Sequence, residues 1–489
     1  MTVIVTIPHD SEDIAARIVE ACDLPACDFE QAVFQGLPVT HEIAAHSTIA
    51  FQYFRYGFGG AEKVTFELMQ LFSEMGYRVV LYTDIEPEPN DLPVPEGVIR
   101  KHVCAGYDDR ESRVEYWREQ VEAEGIAALV YGSWCSPAAL LDCLAVQSAG
   151  AAFLFCVHGC SPFFMQIDDP PLPLRLERVG RCADAVIVLS EADKAFWDAY
   201  NPNVHVVVNP VARYMSRVPV AESPARGHTV LWSGRFSFYE KQPADAVEIL
   251  AELRKIVPDA KLVFLGAGTP EETAKLKGIV EENGVAGAVT FAGYQEDPMP
   301  YYQVADALLV TSVSEGFGLS IAEAMHQGMP VVAYDLGYLL LMQDGGVVKV
   351  PHGGIRAAAS ALAKLLDDPV EHDEQAARGR ARYEAVCEID LAVLWQGVLD
   401  SCSEIRGEMA QTPQAFMIRE MVRHWRVSDA KRVERENDAR GREAELIADR
   451  DRIRQAYDEL EHSTMMKVGR AATAAPRAFK DLLTARKRS

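Results

Sequence analysis

The sequence predicts an α/β chain of two doubly wound parallel-sheet domains facing a cleft, plus a helical C-terminal extension. Three observations predict it. At 489 residues the chain exceeds what one core of roughly 100 to 200 residues accommodates. Short apolar runs alternate with helix-period segments, the pattern of a parallel sheet covered on both faces. The alternation then starts afresh after a stretch rich in proline, glycine and polar residues, VARYMSRVPVAESPARG.

The first 45 residues read as a short strand with helix-like and loop segments, an extension whose role the sequence does not reveal. The first domain spans 46–213. Its apolar run Thr48 to Tyr53 meets the turn Gly57-Phe58-Gly59-Gly60, then the helical AEKVTFELMQLFSEMG and the strand RVVLYT. Further strands read IAALVYG, AAFLFCVHG, ADAVIVLS and VHVVVNP. Residues 214–227 read as a linker, and 228–385 as a second domain with strands TVLWSG, KLVFLG, AVTFAG, ADALLVTS and MPVVAYD. Two such units in tandem form a cleft between their carboxyl-end faces, where open α/β sheets bind ligands. Residues 386–427 read as helices crossing back to the first domain. Over 428–460 charge dominates, with Leu446, Ile453 and Leu460 seven apart, so a solvated helix and a short coiled coil are both compatible. From 464 to 489 the segment is basic and apolar, which suits peripheral contact with an anionic membrane.

Composition narrows the function. With 49% apolar and 25% charged residues the chain is an ordinary globular protein. A net charge of −24 argues against nucleic acid as a partner, so any anionic ligand is held locally. The ten cysteines form no CxxC framework, and Cys156 and Cys160 around His158 read as strand and loop packing rather than zinc ligands. No metal site is expected. The opening residues lack a basic leader, and no apolar stretch reaches the 18 or so residues of a membrane span. A cytoplasmic protein is expected, at the inner face of the membrane if the tail engages it.

Chemistry concentrates in SEGFGLSIAEAMHQGMPVV. Glu315 falls at a strand tip and Glu323 eight residues on, inside the following helix. Between them Gly316, Phe317, Gly318 and Leu319 form a tight loop whose backbone N–H groups open the helix, suited to hydroxyl and phosphate oxygens. In SGRFSFYEKQP, Arg235 and Lys241 bring two cations toward one point, a fork of donors and a compact charge, fit to stabilise a departing diphosphate. A solvent-facing ion pair is the plainer alternative. Gly59 and Gly60 allow close approach of backbone to a ligand. A dehydrogenase would want an acidic residue about twenty positions on, and Asp84 comes late for that. His158 follows the strand AAFLFCV and faces the proposed cleft, unless it only caps a loop.

These motifs resemble the retaining family-4 glycosyltransferases, also called glycosyl transferases group 1. The E-x7-E element and downstream G-x-P-V-V of that family appear as Glu315, Glu323, Gly328, Pro330, Val331 and Val332, and its G-R-(x)n-K-G element as Gly234, Arg235 and Lys241, with Gln242 where glycine is usual. The resemblance implies a GT-B fold of two Rossmann-like domains, a nucleotide-sugar donor bound by the second, and a glycan or lipid-linked acceptor bound by the first. It implies that Glu315 and His158 contact the donor sugar, Arg235 and Lys241 the diphosphate, Glu323 the ribose, and that Gly59 and Gly60 line the acceptor and diphosphate side. Neither cofactor nor metal is expected in that scheme. The family's Gly-Gly-x-x-Glu turn is replaced here by AYDLGYLLLMQDGG, without its Glu. A sugar-nucleotide epimerase and a catalytically silent scaffold in a polysaccharide-assembly complex are the rival readings.

Overall fold

The computed structural model describes residues 2–7, 13–38, 40–57, 59–89, 91–160, 172–220, 227–404, 412–423 and 452. The chain divides into two units, 1–421 and 422–489. All that follows concerns the first. The expected basic tail, and the expected charged helix apart from Arg452, lie outside the described residues.

The chain opens with β1 (Val3–Thr6), α1 (Ile14–Cys22), α2 (Ala26–Phe29) and β2 (Ala32–Gln35), with β1 and β2 paired in parallel. The first large sheet follows: β3 (Thr48–Tyr53), α3 (Gly60–Glu74), β4 (Arg78–Thr83), β5 (Ile99–His102), α4 (Arg110–Glu124), β6 (Ile126–Tyr131), α5 (Ala139–Ser148), β7 (Ala152–Cys156), α6 (Leu172–Cys182), β8 (Ala185–Val188), α7 (Glu191–Trp197) and β9 (Val204–Val206). Its strands are all parallel, in the order β5-β4-β3-β6-β7-β8-β9. The order reverses at β3, so the switch point lies between β3 and β6, at the turn carrying Gly59 and Gly60. The opening segment packs outside this sheet, α1 against α4 and α5.

A short helix, α8 (Val211–Met215), leads to the second sheet: β10 (Thr229–Ser233), α9 (Pro243–Leu253), β11 (Lys261–Leu265), α10 (Pro270–Glu282), β12 (Val289–Gly293), α11 (Met299–Tyr302), β13 (Ala307–Val310), α12 (Leu319–His326), β14 (Val331–Tyr334), β15 (Val348–Val350), then α13 (Ile355–Asp367), α14 (Pro369–Cys387) and α15 (Leu391–Ser401). The parallel order is β12-β11-β10-β13-β14-β15, with its switch point between β10 and β13. The loops after those two strands carry Arg235 with Lys241, and Glu315.

Local sequence explains these elements. β7 and β8 are buried throughout, as the continuous runs AFLFC and AVIV require of strands covered on both faces. Helix α10 begins with a capping box between Thr269 and Glu272, and α4 is capped by Asp109. β5 and β15 carry no such signal in sequence: IRKH is polar and part-exposed, and VKV has three residues. Both are edge strands that form because a neighbour offers a ladder.

Helix α15 belongs to the core of the first domain although it follows the second. Trp395, Val398, Leu399 and Cys402 pack among Phe51, Phe72 and Val207. The Trp395 and Phe72 rings lie 5.2 Å apart, edge to face. Burying such side chains contributes about 1.5–3 kcal/mol each, which ties the end of the second domain to the first.

Candidate functional site: a carboxylate and two cations at the mouth of a two-domain cleft

Glu315 lies in the loop after β13, its side chain 12% exposed. Its Oε1 accepts from Lys241 Nζ at 2.7 Å and from Ser312 Oγ at 2.7 Å. Its backbone is clamped as well, since its N–H donates to the Tyr338 hydroxyl at 3.0 Å and that hydroxyl donates to the Glu315 carbonyl at 2.9 Å. Tyr338 comes from the AYDLGYLLLMQDGG segment, where the sequence departs from the usual turn. A tyrosine of that segment therefore fixes the Glu315 loop.

Lys241 is positioned by its backbone. The Thr311 hydroxyl, at the end of β13, accepts from Trp232 Nε1 at 2.8 Å and donates to the Lys241 carbonyl at 2.7 Å. The next residue, Gln242, adopts φ +47°, a left-handed conformation that glycine reaches without strain and glutamine does not. That is the physical reason for the usual glycine there. Arg235 is 80% exposed, with its guanidinium 3.7 Å from Glu240, and Lys241 lies 3.9 Å from the same carboxylate. The two cations therefore meet on Glu240, which sequence reasoning passed over although it directly precedes Lys241. Burial pushes the Glu240 pKa up, Lys241 and Arg235 pull it back, and Glu315 pushes it up again.

Glu323, in the second turn of α12, is buried. Tyr214 donates to its Oε1 at 3.4 Å. Burial raises its pKa, and Tyr302, Lys63 and Tyr214 oppose that rise. Tyr214 lies in α8 and Lys63 in α3, so three separate elements surround a carboxylate that sequence placed only on its own helix. Gly318 opens α12 at φ +85°, with the Ile321 and Ala322 amides both turning back to its carbonyl. Phe317 points into the apolar core beneath, so this residue offers the cleft its backbone only.

The first domain meets this loop directly. A Cβ added to Gly316 would lie 2.2 Å from the His158 carbonyl oxygen, and one on Gly60 would lie 2.7 Å from Leu319 Cδ1. The two glycine positions let backbone and side chains of the two domains come together. The His158 ring stands 5.8 Å from that of Tyr53, and burial lowers its pKa to about 4, so it is neutral near pH 7. Glu62, in the first turn of α3, folds back over Gly59, where a Cβ would meet its Oε2 at 2.1 Å. Burial raises its pKa, while Arg235 and Arg55 act against that. Glu62 too was missed, and its only signal was its place two residues after the glycine pair.

The structure thus brings together Glu315, Lys241 and Arg235 on the second domain, with His158, Gly60 and Gly316 at the contact between domains and Glu323 one helical turn beyond Leu319. Cys156 and Cys160 are both buried, and Cys160 Sγ lies 3.0 Å from Ser314 Oγ. Among the described residues no group of three His, Cys, Asp or Glu is placed to hold a metal ion, and no helix is long and apolar enough to cross a membrane.

Two parallel-sheet Rossmann-like domains meeting at their carboxyl edges, with a helical C-terminal extension, define the GT-B class. Residues 58–213 match the family described as Glycosyltransferase Family 4, and residues 227–368 match that described as Glycosyl transferases group 1. The chain belongs to this glycosyltransferase family. It is 33% identical over 170 residues to the poly(glycerol-phosphate) alpha-glucosyltransferase of Bacillus subtilis, covering 33% of this chain and 24% of that protein. It is 32% identical over 179 residues to the phosphatidyl-myo-inositol mannosyltransferase of Mycobacterium leprae, covering 36% of this chain and 46% of the other. The matches thus span less than half the length of these relatives. The fold is shared with sucrose-phosphate synthase from Thermosynechococcus elongatus, at TM-score 0.59 and 21% identity over 72% of this chain and 98% of that one. It is shared also with Anabaena HepE in complex with UDP and glucose, at TM-score 0.58 and 18% identity over 73% of this chain and 100% of that one. At those identities the likeness is one of fold.

Proposed function

We propose that the chain transfers a sugar from a nucleotide-sugar donor to a glycan or lipid-linked acceptor, with retention of anomeric configuration and without a metal ion. The observation that carries the reading is the Lys241–Glu315 pair at the end of β13, 2.7 Å apart, with Arg235 and the α12 N-terminus beside it. In this scheme the diphosphate takes Arg235 and Lys241 as partners, so that negative charge growing on the β-phosphate is met by fixed cations. Lys241, released in part from Glu315, leaves that carboxylate to accept from donor-sugar hydroxyls. Glu323 binds the ribose hydroxyls, and neutral His158 orients the sugar from the opposite wall.

The bond between the anomeric carbon and the β-phosphate oxygen breaks while the acceptor oxygen attacks the same face. The leaving phosphate oxygen takes the acceptor proton, so no protein nucleophile is required. Contact between the Gly316 and His158 backbones supports exclusion of water from the reacting bond, which otherwise hydrolyses. The site lies in a protein proposed to work in the cytoplasm, at the membrane face if residues 464–489 bind anionic lipid.

A calorimetric screen against UDP, GDP, ADP and their common sugars, with and without EDTA, tests the donor reading. Saturable binding to one nucleotide, insensitive to EDTA and lost in Glu323→Ala, is expected. Binding to none would favour a silent scaffold, and release of free nucleoside diphosphate with an epimerised sugar, without any acceptor, would favour an epimerase. Retention is read from the anomeric proton coupling of the first product.

A further inference from the structure

Phe54, the residue directly after β3, is 47% exposed. Its ring stacks on that of Tyr107, with centroids 6.3 Å apart and planes 18° from parallel. An isolated surface aromatic needs no explanation, but this one is built into a rigid support. The Arg113 guanidinium lies 4.9 Å from the Tyr107 ring centre and is itself 1% exposed. Asp142 holds Arg113 at 2.7 and 2.8 Å, and Asp84 holds it at 2.8 Å. Gln52 of β3 and Tyr131 of β6 complete the network by donating to Asp84 and Asp142. The plate therefore stands on the carboxyl ends of β3, β4 and β6, the switch-point edge of the first sheet.

Its rim is polar. Arg55 pairs with Glu88, each about half-exposed. Across the cleft the 235–241 loop presents Tyr239, 50% exposed.

We infer that Phe54, backed by Tyr107, is a stacking platform for a pyranose ring of the acceptor, an inference resting on the glycosyl-transfer reading above. A pyranose has one apolar face of C–H bonds and an edge of hydroxyls. A flat aromatic ring bordered by a guanidinium and a carboxylate matches both, with the ring supplying contact area and the charges fixing orientation. An acyl chain would need a longer apolar groove than one ring provides. The platform lies five residues before Gly59 in the chain, on the domain opposite Glu315 and Lys241, where an acceptor must present its hydroxyl.

Saturation-transfer NMR of the full chain with methyl α- and β-glucosides, methyl N-acetylglucosaminide, maltose and cellobiose tests this, with nucleotide affinity measured in parallel. Transfer to the C–H protons of one ring face is expected for at least one of these sugars. It should fall about tenfold in Phe54→Ala and persist in Phe54→Trp. Equal transfer from wild type and from Phe54→Ala, or no transfer from wild type to any of the sugars, overturns the inference. So does loss in Phe54→Ala of binding to a short-chain phospholipid while sugar binding stays unchanged. Nucleotide binding without sugar contact at Phe54 sinks the platform alone, whereas absence of nucleotide binding sinks the donor reading.

Discussion

The Lys241 ammonium donates to Glu315 Oε1 at 2.7 Å, so one of the two cations assigned to the donor diphosphate is already neutralised by the carboxylate assigned to its sugar. The pair is one switchable unit rather than two independent contacts. Replacing Lys241 by Ala removes a charge-stabilising donor and leaves Glu315 with Ser312 alone. A loss of about 2–4 kcal/mol in kcat/KM for the nucleotide sugar is expected. Turnover equal to wild type would remove Lys241 from the mechanism.

Gly316→Ala tests the contact between domains. The added Cβ would meet the backbone oxygen of His158 at 2.2 Å, and backbone on both sides cannot yield. A fall of about 100-fold in kcat/KM is expected from the displaced loop, with nucleotide binding to the second domain retained and a larger radius of gyration in solution scattering. Gly60→Ala serves as the contrast, because its added Cβ would meet only the end of the flexible Leu319 side chain.

Glu323 is assigned to the ribose, and a cycle with the ligand checks it. Glu323→Gln should weaken binding of the ribonucleoside diphosphate by about 1.5–3 kcal/mol, the range for a hydrogen bond to a charged group. The 2′,3′-dideoxy ligand should bind wild type as weakly, and the variant should lose nothing further with it. Additive losses would place Glu323 away from the ribose.

Burial lowers the His158 pKa from 6.5 to about 4. The folded ring is neutral while the unfolded chain takes up its proton below about 6.5. Its contribution to stability is therefore complete above that pH and is lost progressively as pH falls toward 4. The slope in that window is at most about 1.4 kcal/mol per pH unit. Melting temperature should fall less steeply between pH 7 and 4.5 in His158→Asn than in wild type, and parallel curves would contradict a buried neutral ring.

Arg113→Met strands Asp142, which is fully buried, without its cation. A destabilisation of about 3–5 kcal/mol in urea unfolding is expected, and the double variant Arg113→Met/Asp142→Leu should recover only part of it, since Asp142 is then gone but Asp84 remains without its cation.

Much of the architecture follows from the sequence alone. Continuous runs such as AFLFC and AVIV fit strands covered on both faces, and their alternation with helices, run twice, predicts two sheets and a cleft. The Glu315 and Glu323 spacing, the Arg235 and Lys241 element and the strand-tip His158 were legible because local order along the chain fixes which strand end or helix turn carries them. Partners distant in sequence were not legible. Nothing in AYDLGYLLLMQDGG says that Tyr338 clamps the Glu315 backbone, nothing in α8 says that Tyr214 reaches Glu323, and a polar IRKH becomes β5 only beside β4. Those facts depend on which surfaces the folded chain presses together. Sequence determined the elements and the chemical groups available; the tertiary structure decided which groups meet, because pairing, burial and the resulting shifts in charge are properties of three-dimensional neighbours.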